Sequence, residues 1–412
     1  MNVLGISTTA AVYSTEQNLK GAIDKSDNYY PKDALTFLIN PYSKIDRVLY
    51  TDANTFLPFS KYLARHTAVK PILVDEKQAL VKSACITKKW DTCAVILENK
   101  EGLFLGSYYN GHTKWLKAFK YPQTLQNFIS SACTFLSLGT DINDLAYASS
   151  KGVPIYADII NKHILSYRDD YYTLNTKVLE DVKSSILNYD IAASVQAVYT
   201  DILIYLVTYL MYNTKQTNLA LVGSISENIL STTAILNSGI IENLAINPST
   251  TDASAALGAV ALHKDILWEH NFIGEPISVD NIADSKVAAL ISGDIINITS
   301  GHKAFARTSM ATDGVFAIPY SEVLQKLRKN IGMPSYRPFT AVCQAKDYSK
   351  LFQGDISNCS NTINKLLDKR FLVGDCPVVT VSNTSNPYMH RLLEVLKAQG
   401  FPMLITVDNI HD

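Results

Sequence analysis

Two loops in the middle of the chain carry residues that could hold an anion such as a phosphate. The first loop, residues 223–228, follows the short apolar run Leu219–Val222 and contains Gly223 and Asn228. The second loop precedes an alanine-rich segment that begins at Asp252. Glycine permits the tight turn that a strand end needs, and the free N–H groups at a helix start attract anions. The pattern predicts that both loops lie together at one end of a sheet, where the start of the second helix could hold an anion.

A structural role is the alternative for each of these residues. Asn and Asp cap helices, because their side chains accept hydrogen bonds from free backbone N–H groups. Asn228 and Asp252 both stand at the start of a predicted helix. Gly223 is required for a tight turn whether or not a ligand binds. The sequence leaves both interpretations open for Asn228 and for Asp252.

Strands and helices alternate around these loops, which is typical of α/β proteins. We expect strands at 2–7, 47–50, 72–74, 92–97, 103–109, 219–222 and 244–246, and helices at 125–138, 229–238 and 252–267. Residues 178–213, including 191–211, predict one long helix or two close ones, and the C-terminal half is apolar nearly all round, which predicts a position in the core. A polar junction at about 274–285 predicts a large unit, residues 1–275, and a smaller unit, residues 286–412.

The composition excludes several classes of protein. With 412 residues the chain exceeds one ordinary domain of about 100–200 residues. Hydrophobic residues make up 47%, which excludes a disordered or collagen-like chain. The 37 Lys and Arg against 38 Asp and Glu give a net charge of −1, so no overall basic field exists to hold nucleic acid. A nucleotide or nucleic-acid role would need a local site.

Cysteine spacing and hydropathy bear on the cell compartment. The six cysteines include no Cys-x-x-Cys pair, which indicates neither a zinc framework nor a disulfide scaffold. The most apolar helical run, Ile202–Tyr212, falls short of the ~20 residues that a membrane span needs. No signal peptide is visible at the N-terminus. We therefore expect a cytoplasmic protein with no membrane partner.

Several short motifs are spread along the chain from about residue 2 to residue 405. They are Ser83-Ala84, Tyr121-Pro122 with Leu138-Gly139, Ala192-Ala193-Ser194-Val195-Gln196, the loop residues 219–228 and 246–259, Tyr336-Arg337-Pro338-Phe339, and Asn386-Pro387-Tyr388 with Leu392-Leu393. In this order and spacing they resemble the O-carbamoyltransferases of antibiotic and nodulation-factor biosynthesis.

That resemblance implies an α/β fold in two parts. The large part would be an actin-like ATPase domain related to the tRNA threonylcarbamoyl transferases, and the small part an α+β domain related to threonylcarbamoyl-adenylate synthases. In the family the small domain makes carbamoyl adenylate from carbamoyl phosphate and ATP, and the large domain binds a metal and passes the carbamoyl group to an alcohol. The implied nucleotide-binding residues are Gly223, Asn228 and Asp252, and the implied carbamoyl-phosphate-binding residues are Lys303, Ser309 and Arg337. ATP with Mg²⁺ is the expected cofactor.

The motifs that carry the family's chemistry are altered in this chain. Where the family has His-His-x-x-His-Ala-x-Ser-Ala, residues 76–84 read Glu-Lys-Gln-Ala-Leu-Val-Lys-Ser-Ala. The histidines are replaced, so the family's iron site is not expected, and Glu76 and Asp252 remain as the only candidate metal ligands. At two positions where the family has phosphate-clamping arginines, this chain has Lys303 and Thr308. Lysine cannot replace the bidentate grip of arginine, and a solvated surface role is the alternative for Lys303. A structural ion pair is the alternative for Arg337.

A family scaffold with altered chemistry predicts a catalytically eroded subunit, a pseudoenzyme, that partners an active carbamoyltransferase homologue in a hetero-oligomer. A homodimer is the alternative assembly. Two other functions stay open: a self-sufficient, diverged O-carbamoyltransferase, and a nucleotide-binding sensor without transfer chemistry.

The Lys, Asn, Ile and Tyr usage with scarce Gly fits an AT-rich genome such as that of many phages. A hydroxymethylated pyrimidine of phage nucleic acid is therefore one candidate acceptor, in the host cytoplasm, and a sugar hydroxyl of a small metabolite is another.

Overall fold

The structure is a computed structural model of the chain, and it has a mixed α/β architecture with three five-stranded sheets and one two-stranded sheet in the described parts. It describes residues 1–16, 19–23, 31–39, 44–52, 56–65, 67–120, 124–138, 142–164, 188–249, 251–266, 268, 284–299, 304–306, 310–371 and 373–407.

The first sheet begins with an antiparallel meander and is completed by two parallel strands. Its strands are β1 (Val3–Ile6), β2 (Ala10–Ser14), β3 (Leu19–Ile23), β4 (Arg47–Tyr50) and β5 (Ile72–Leu73), in the order β3-β2-β1-β4-β5. Helix α1 (Lys32–Leu38) precedes β4, and α2 (Phe56–Leu63) precedes β5. Because β1 and β4 run parallel, their carboxyl ends meet at one edge of the sheet.

The second sheet repeats this connectivity. After α3 (Glu76–Lys88), the strands are β6 (Thr92–Asn99), β7 (Gly102–Tyr109), β8 (His112–Lys120), β9 (Asn218–Gly223) and β10 (Asn243–Ile246), in the order β10-β9-β6-β7-β8. The helices are α4 (Leu125–Phe135), α5 (Ile142–Ser149), α6 (Ala157–Ile164), α7 (Asn188–Thr214), α8 (Ile229–Asn237) and α9 (Thr251–His263). Again a meander is followed by two strands parallel to its first strand.

The long helix α7 lies in the hydrophobic core beside the second sheet, as its sequence predicts. Ile191, Leu203 and Leu210 are fully buried and share one hydrophobic cluster with Leu219 and Leu221 of β9. Among the described helices, α7 alone is long and apolar enough to cross a membrane, but 67% of its most apolar window is buried inside the protein. Burial of this kind is typical of a core helix.

Helices α3 and α9 pack unusually closely between the two sheets. A Cβ atom on Gly258 of α9 would lie 1.7 Å from the carbonyl oxygen of Ala79 in α3. A Cβ atom on Gly5 of β1 would lie 2.3 Å from the carbonyl oxygen of Ala256. Glycine at these two positions allows backbone-to-backbone contact that any side chain would prevent. The close packing brings the starts of α3 and α9 to the edge where β1 and β4 end.

The remaining residues form a third sheet with its own hydrophobic core. The helices are α10 (Asp284–Ile291), α11 (Ser321–Asn330), α12 (Tyr348–Leu351) and α13 (Pro387–Ala398). The strands are β11 (Ile296–Thr299), β12 (Asp313–Ala317), β13 (Thr340–Gln344), β16 (Val378–Val381) and β17 (Met403–Val407), in the order β11-β12-β17-β13-β16, beside the small pair β14 (Phe352–Gln353) and β15 (Lys365–Leu366). The division into two domains at about residue 275 stays a prediction.

A segment of this C-terminal part, residues 355–364, covers the β10 edge of the second sheet. The Asn358 side chain donates a hydrogen bond to the carbonyl of Leu244 at 3.3 Å. The backbone N–H of Ile363 donates to the Thr233 hydroxyl at 2.9 Å. A covered edge is protected from pairing with other chains.

Candidate functional site

Five chain segments meet in one polar cluster at the edge where β1 and β4 end. Thr9, in the turn between β1 and β2, donates a hydrogen bond to Asp252 in the first turn of α9 at 3.1 Å. The neighbouring Thr8 donates to Asp52, just beyond β4, at 3.3 Å. The Lys100 ammonium, in the turn between β6 and β7, lies 3.5 Å from the same carboxylate. The first residue of α3, Glu76, completes the group through its charge interactions with these side chains.

Electrostatics in this group are dominated by three carboxylates, Asp52, Glu76 and Asp252, which we call the carboxylate cluster. Burial raises the pKa of Glu76, and the charges of Asp252 and Asp52 add to this rise while Lys100 opposes it. Burial also works against the ammonium of Lys100, but the three carboxylates outweigh it and the pKa of Lys100 is raised. The carboxylates of the cluster therefore favour the charged form of Lys100, which contacts one of them, Asp52.

The side chains present do not fit the metal that the family resemblance implies. The Lys77 ammonium donates to Glu101 at 2.6 Å and lies over the ring of Phe104. Leu80 is completely buried in an apolar cluster. Neither side chain is a metal ligand at neutral pH, and the described residues contain no group of three or more His, Cys, Asp or Glu arranged to hold a metal.

Gly223 closes β9 in a conformation that only glycine adopts easily. Its φ of 79° and ψ of −154° lie in a region that side chains disfavour. A Cβ atom there would lie 2.0 Å from the carbonyl oxygen of Glu98 on the neighbouring strand. The Gly223 N–H donates to the Asn247 side chain at 2.7 Å, and Asn247 donates in turn to the Ser83 hydroxyl at 2.7 Å. Asn247 therefore ties the end of β9 to α3.

The parallel pairing of β9 and β10 confirms that the two sequence-predicted loops lie at one edge of the sheet. The bridging role of Asn247 was missed, because the Asn-Pro dipeptide indicates only a strand end. A buried amide that links two elements leaves no pattern in the sequence of either one.

A buried carboxyl group, Glu98, lies beside Gly223 and was also missed. It accepts a hydrogen bond from the Gln126 N–H at 2.9 Å and from the N–H of Leu125, at the start of α4. The Ser224 hydroxyl lies 3.4 Å from its second oxygen. Burial raises the pKa of Glu98 to about 7, although these hydrogen bonds lower it. The sequence does contain a signal for this buried carboxyl group, namely a glutamate near the end of an otherwise apolar strand.

Asn228 is fully buried and caps helix α8. Its side-chain oxygen accepts the N–H of Ser231 at 3.0 Å, and its amide donates to Gln196 on α7 at 2.9 Å. Gln196 returns a hydrogen bond to Asn228 at 3.1 Å. Two of the motifs that carry the resemblance therefore contact each other directly. These contacts are those of the capping role, and the nucleotide-binding role of Asn228 stays a prediction.

Arg337 forms an ion pair with Asp144 of α5, with an N–O distance of 3.2 Å. The adjacent Asn143 accepts the backbone N–H of Ile229, which follows Asn228, at 3.1 Å. The ring of Tyr336 meets that of Tyr189 at a centroid distance of 6.4 Å. The Tyr-Arg-Pro-Phe motif thus joins the C-terminal part to α5 and α7. For Arg337 this contact is the structural ion pair, the alternative to binding carbamoyl phosphate.

We expect Arg337→Ala to lower the free energy of unfolding by about 2 kcal/mol, because it leaves the mostly buried carboxylate of Asp144 without this partner. Urea unfolding checks the value. Arg370→Ala is the control, since the Arg370 side chain is 73% exposed beside Asp368 and its loss should leave the free energy of unfolding nearly unchanged. An unchanged stability for Arg337→Ala, combined with weaker binding of phosphate compounds, would instead identify Arg337 as a ligand-binding residue.

Lys303 and Ser309 lie outside the described residues, and their assignment to carbamoyl phosphate stays a prediction. Phe305, between them in sequence, is described and is buried in the hydrophobic cluster that contains Ala256 and Val260 of α9. Its ring contacts Trp268 at a centroid distance of 6.4 Å. Phe305 is therefore anchored beside the helix that carries Asp252.

Comparisons with solved structures find loose similarities. Component A of the Acidaminococcus fermentans (R)-2-hydroxyglutaryl-CoA dehydratase is 13% identical, with a TM-score of 0.41 over 64% of this chain and 97% of that one. The Clostridium difficile 2-hydroxyisocaproyl-CoA dehydratase activator with bound ADPNP is 14% identical, with a TM-score of 0.41 over 64% and 94%. Full-length HypF in its phosphate- and nucleotide-bound form is 11% identical, with a TM-score of 0.43 over 65% and 47%.

The family comparison concerns the middle of the chain. No curated protein matches the sequence. Residues 155–261 match the model of the family described as carbamoyltransferase N-terminus. The matched range contains Gln196, Gly223, Asn228 and Asp252, the residues whose contacts are described above. Residues 155–261 of this chain are therefore similar to the N-terminal region of the carbamoyltransferases.

Proposed function

We propose that this chain is a subunit of an O-carbamoyltransferase that completes or stabilises an active homologue and lacks independent catalysis. The overall reaction would convert ATP, carbamoyl phosphate and water to carbamoyl adenylate, pyrophosphate and phosphate, and then pass the carbamoyl group to an alcohol. In this proposal residues 1–275 provide an actin-like, nucleotide-holding part and residues 286–412 an adenylate-synthase-like part.

The observation that carries the proposal is the contrast between an intact scaffold and a replaced set of metal ligands. The scaffold contacts Gln196–Asn228 and Gly223–Asn247 lie within the range that matches the carbamoyltransferase model. At the positions of the family's histidines, Lys77 is held by Glu101 and Leu80 is buried. A metal-dependent transfer step on this chain alone would need ligands that these side chains do not supply.

The repeated sheet supports the actin-like part of the proposal. The first two sheets have the same strand order and the same mixture of antiparallel and parallel pairs. One contact of the carboxylate cluster joins the two sheets, because Asp52 follows a strand of the first sheet and its partner Lys100 lies in a hairpin of the second. Ligands of α/β proteins commonly bind at the carboxyl ends of the strands, so ATP would bind at this edge.

The partner would be an active carbamoyltransferase homologue, with a homodimer as the alternative. The acceptor would be a hydroxyl group, on a hydroxymethylated pyrimidine of nucleic acid or on the sugar of a small metabolite. A reaction through carbamoyl adenylate suits either acceptor, because the adenylate is a good leaving group and the alcohol needs only orientation and proton removal.

Reconstitution tests this function. The active homologue from the same genome is purified with and without this chain, and transfer from carbamoyl phosphate and ATP to each acceptor is measured. We expect the two chains to co-purify and the transfer rate to rise several-fold in the complex. A homologue that forms no complex and works equally well alone would contradict the proposal, and transfer by this chain alone would establish the self-sufficient enzyme.

A further inference from the structure

A cavity beside helix α11, in the C-terminal part of the chain, contains a guanidinium group without a carboxylate partner. The cavity has a volume of about 200 Å³. Three apolar and three polar residues line it, namely Leu324, Phe339 and Val373, and Ser321, Gln325 and Arg328. None of them belongs to the predicted nucleotide or carbamoyl-phosphate sites. The cavity is therefore a feature that the proposed function does not explain.

The guanidinium group of Arg328 is fixed by contacts within the C-terminal part. Its Nη1 atom donates hydrogen bonds to the carbonyl oxygen of Pro334 and, at 2.9 Å, to that of Arg337. The group lies over the ring of Phe339, with 4.8 Å between its central carbon and the ring centroid. The Nε and Nη2 atoms donate no hydrogen bond to any residue that the structure describes. Three of the five N–H donors of this side chain are therefore available to a ligand.

The charge of Arg328 is not neutralised by any acidic side chain that the structure describes. Burial lowers the pKa of Arg328, and no carboxylate opposes this shift. Arg337, Arg370 and Arg391, by contrast, each form an ion pair with an Asp or Glu side chain. A partly buried charge without a counterion costs free energy. An anionic ligand in the cavity would remove that cost and would meet a pre-positioned guanidinium.

The start of α11 adds positive potential farther along the same cavity. Ser321 is the first residue of this helix and lies two turns before Arg328. The preceding Tyr320 provides no side-chain hydrogen bond to the free N–H groups of the first turn. These groups carry a partial positive charge. Glu322, the acidic residue of the first turn, does not line the cavity. Electrostatics therefore favour a negatively charged ligand over a neutral or positive one.

We propose that this cavity binds a small organic anion, a carboxylate or a phosphate monoester that carries one short apolar group. Arg328 holds the anionic group through Nε and Nη2, and Leu324 and Val373 contact the apolar group. Drug-sized ligands occupy pockets of roughly 300 Å³ or more, so the cavity volume of about 200 Å³ limits the ligand to a molecule with about one ring. The site goes beyond the proposed function and does not depend on carbamoyl transfer.

Binding of two probes, phenyl phosphate and benzoate, to the full chain tests the proposal. Saturation-transfer NMR detects contact with the ring, and calorimetry gives the affinity. We expect at least one probe to bind at a single site with a Kd of about 1 mM or below, and the tighter of the two identifies the anionic group. Inorganic phosphate should bind at least about tenfold more weakly than phenyl phosphate, because it covers neither Leu324 nor Val373.

Two substitutions at the cavity should each weaken binding of the tighter probe at least about tenfold. Arg328→Met removes the guanidinium group. Gln325→Trp fills the cavity from an exposed position and leaves Arg328 in place, so it tests the site even if Arg328→Met fails to fold. Arg370→Met is the control, because it removes an exposed guanidinium that pairs with Asp368. Circular dichroism verifies that each variant is folded.

Three results would overturn the inference. The first is the absence of saturable binding for both probes. The second is an affinity that Arg370→Met lowers as much as the cavity variants do, which would mean general attraction to positive charge. The third is a site that is lost in Lys303→Ala and kept in both cavity variants, which would place the probe at the predicted carbamoyl-phosphate site. None of these measurements uses ATP or the active homologue, so failure here leaves the proposed function standing.

Discussion

Gly223→Ala should lower the free energy of unfolding by about 3 kcal/mol or more. Two physical effects combine at this position. The φ of 79° with a ψ of −154° is strained for alanine, and the new methyl group would lie 2.0 Å from the carbonyl oxygen of Glu98. One of the two strands must move, and the hydrogen bond between the Gly223 N–H and Asn247 would be lost with that movement. Urea unfolding measures the difference.

The matched control for this variant is Gly239→Ala. Gly239 also has a positive φ, of 71°, but nothing lies within 4 Å of the position of its Cβ atom. The control therefore reports backbone strain without steric overlap, and we expect it to cost about 1 kcal/mol. Equal losses in the two variants would mean that the close approach of β9 to β6 at Gly223 does not exist in solution.

Glu98→Gln should change how the stability of the protein depends on pH. The pKa of Glu98 is raised to about 7 in the folded chain from an ordinary value of 4.5. Between these values the folded state retains a proton that the unfolded state has released, so the unfolding free energy of the wild type falls as pH rises. The total fall across this window is roughly 3 kcal/mol. Glutamine cannot ionise, so the variant lacks this part of the pH dependence.

Unfolding of both chains at a series of pH values from about 4 to 8 tests this expectation. The variant should gain stability relative to the wild type as pH rises, and the gain should level off above the folded pKa. Glu101→Gln is the control, because it makes the same substitution at a side chain that is 49% exposed. Parallel profiles for wild type and Glu98→Gln would show that Glu98 is ionised when the chain is folded.

The elements around the site could be predicted from the sequence, because their signals are local. An apolar run ended by Gly223 predicts a strand and a turn, and the small residues from 253 to 261 predict a tightly packed helix. The structure has both, as β9 and α9, with boundaries shifted by a few residues. Helix α9 begins at Thr251 and ends at His263, so Asp252 lies within its first turn and not before it.

The pairing of the elements could not be predicted, because it depends on residues far apart in the chain. Strands β2, β3 and β8 were not foreseen, and without them the repeated strand order is invisible. The same limit applies to Asn247, Glu98 and Lys100. Each of these side chains forms a hydrogen bond with a partner that lies more than 20 residues away in the sequence. Composition and spacing record residue types but not such contacts.

Pyrophosphate release from ATP by the purified chain alone, in the presence of carbamoyl phosphate and with Mg²⁺ and iron supplied, tests the central claim most directly. The account predicts no carbamoyl-phosphate-dependent release from the folded chain, and release once the active homologue is added. Release by the chain alone, lost in a Lys303→Ala variant that remains folded, would contradict the account and establish an independent, diverged carbamoyltransferase.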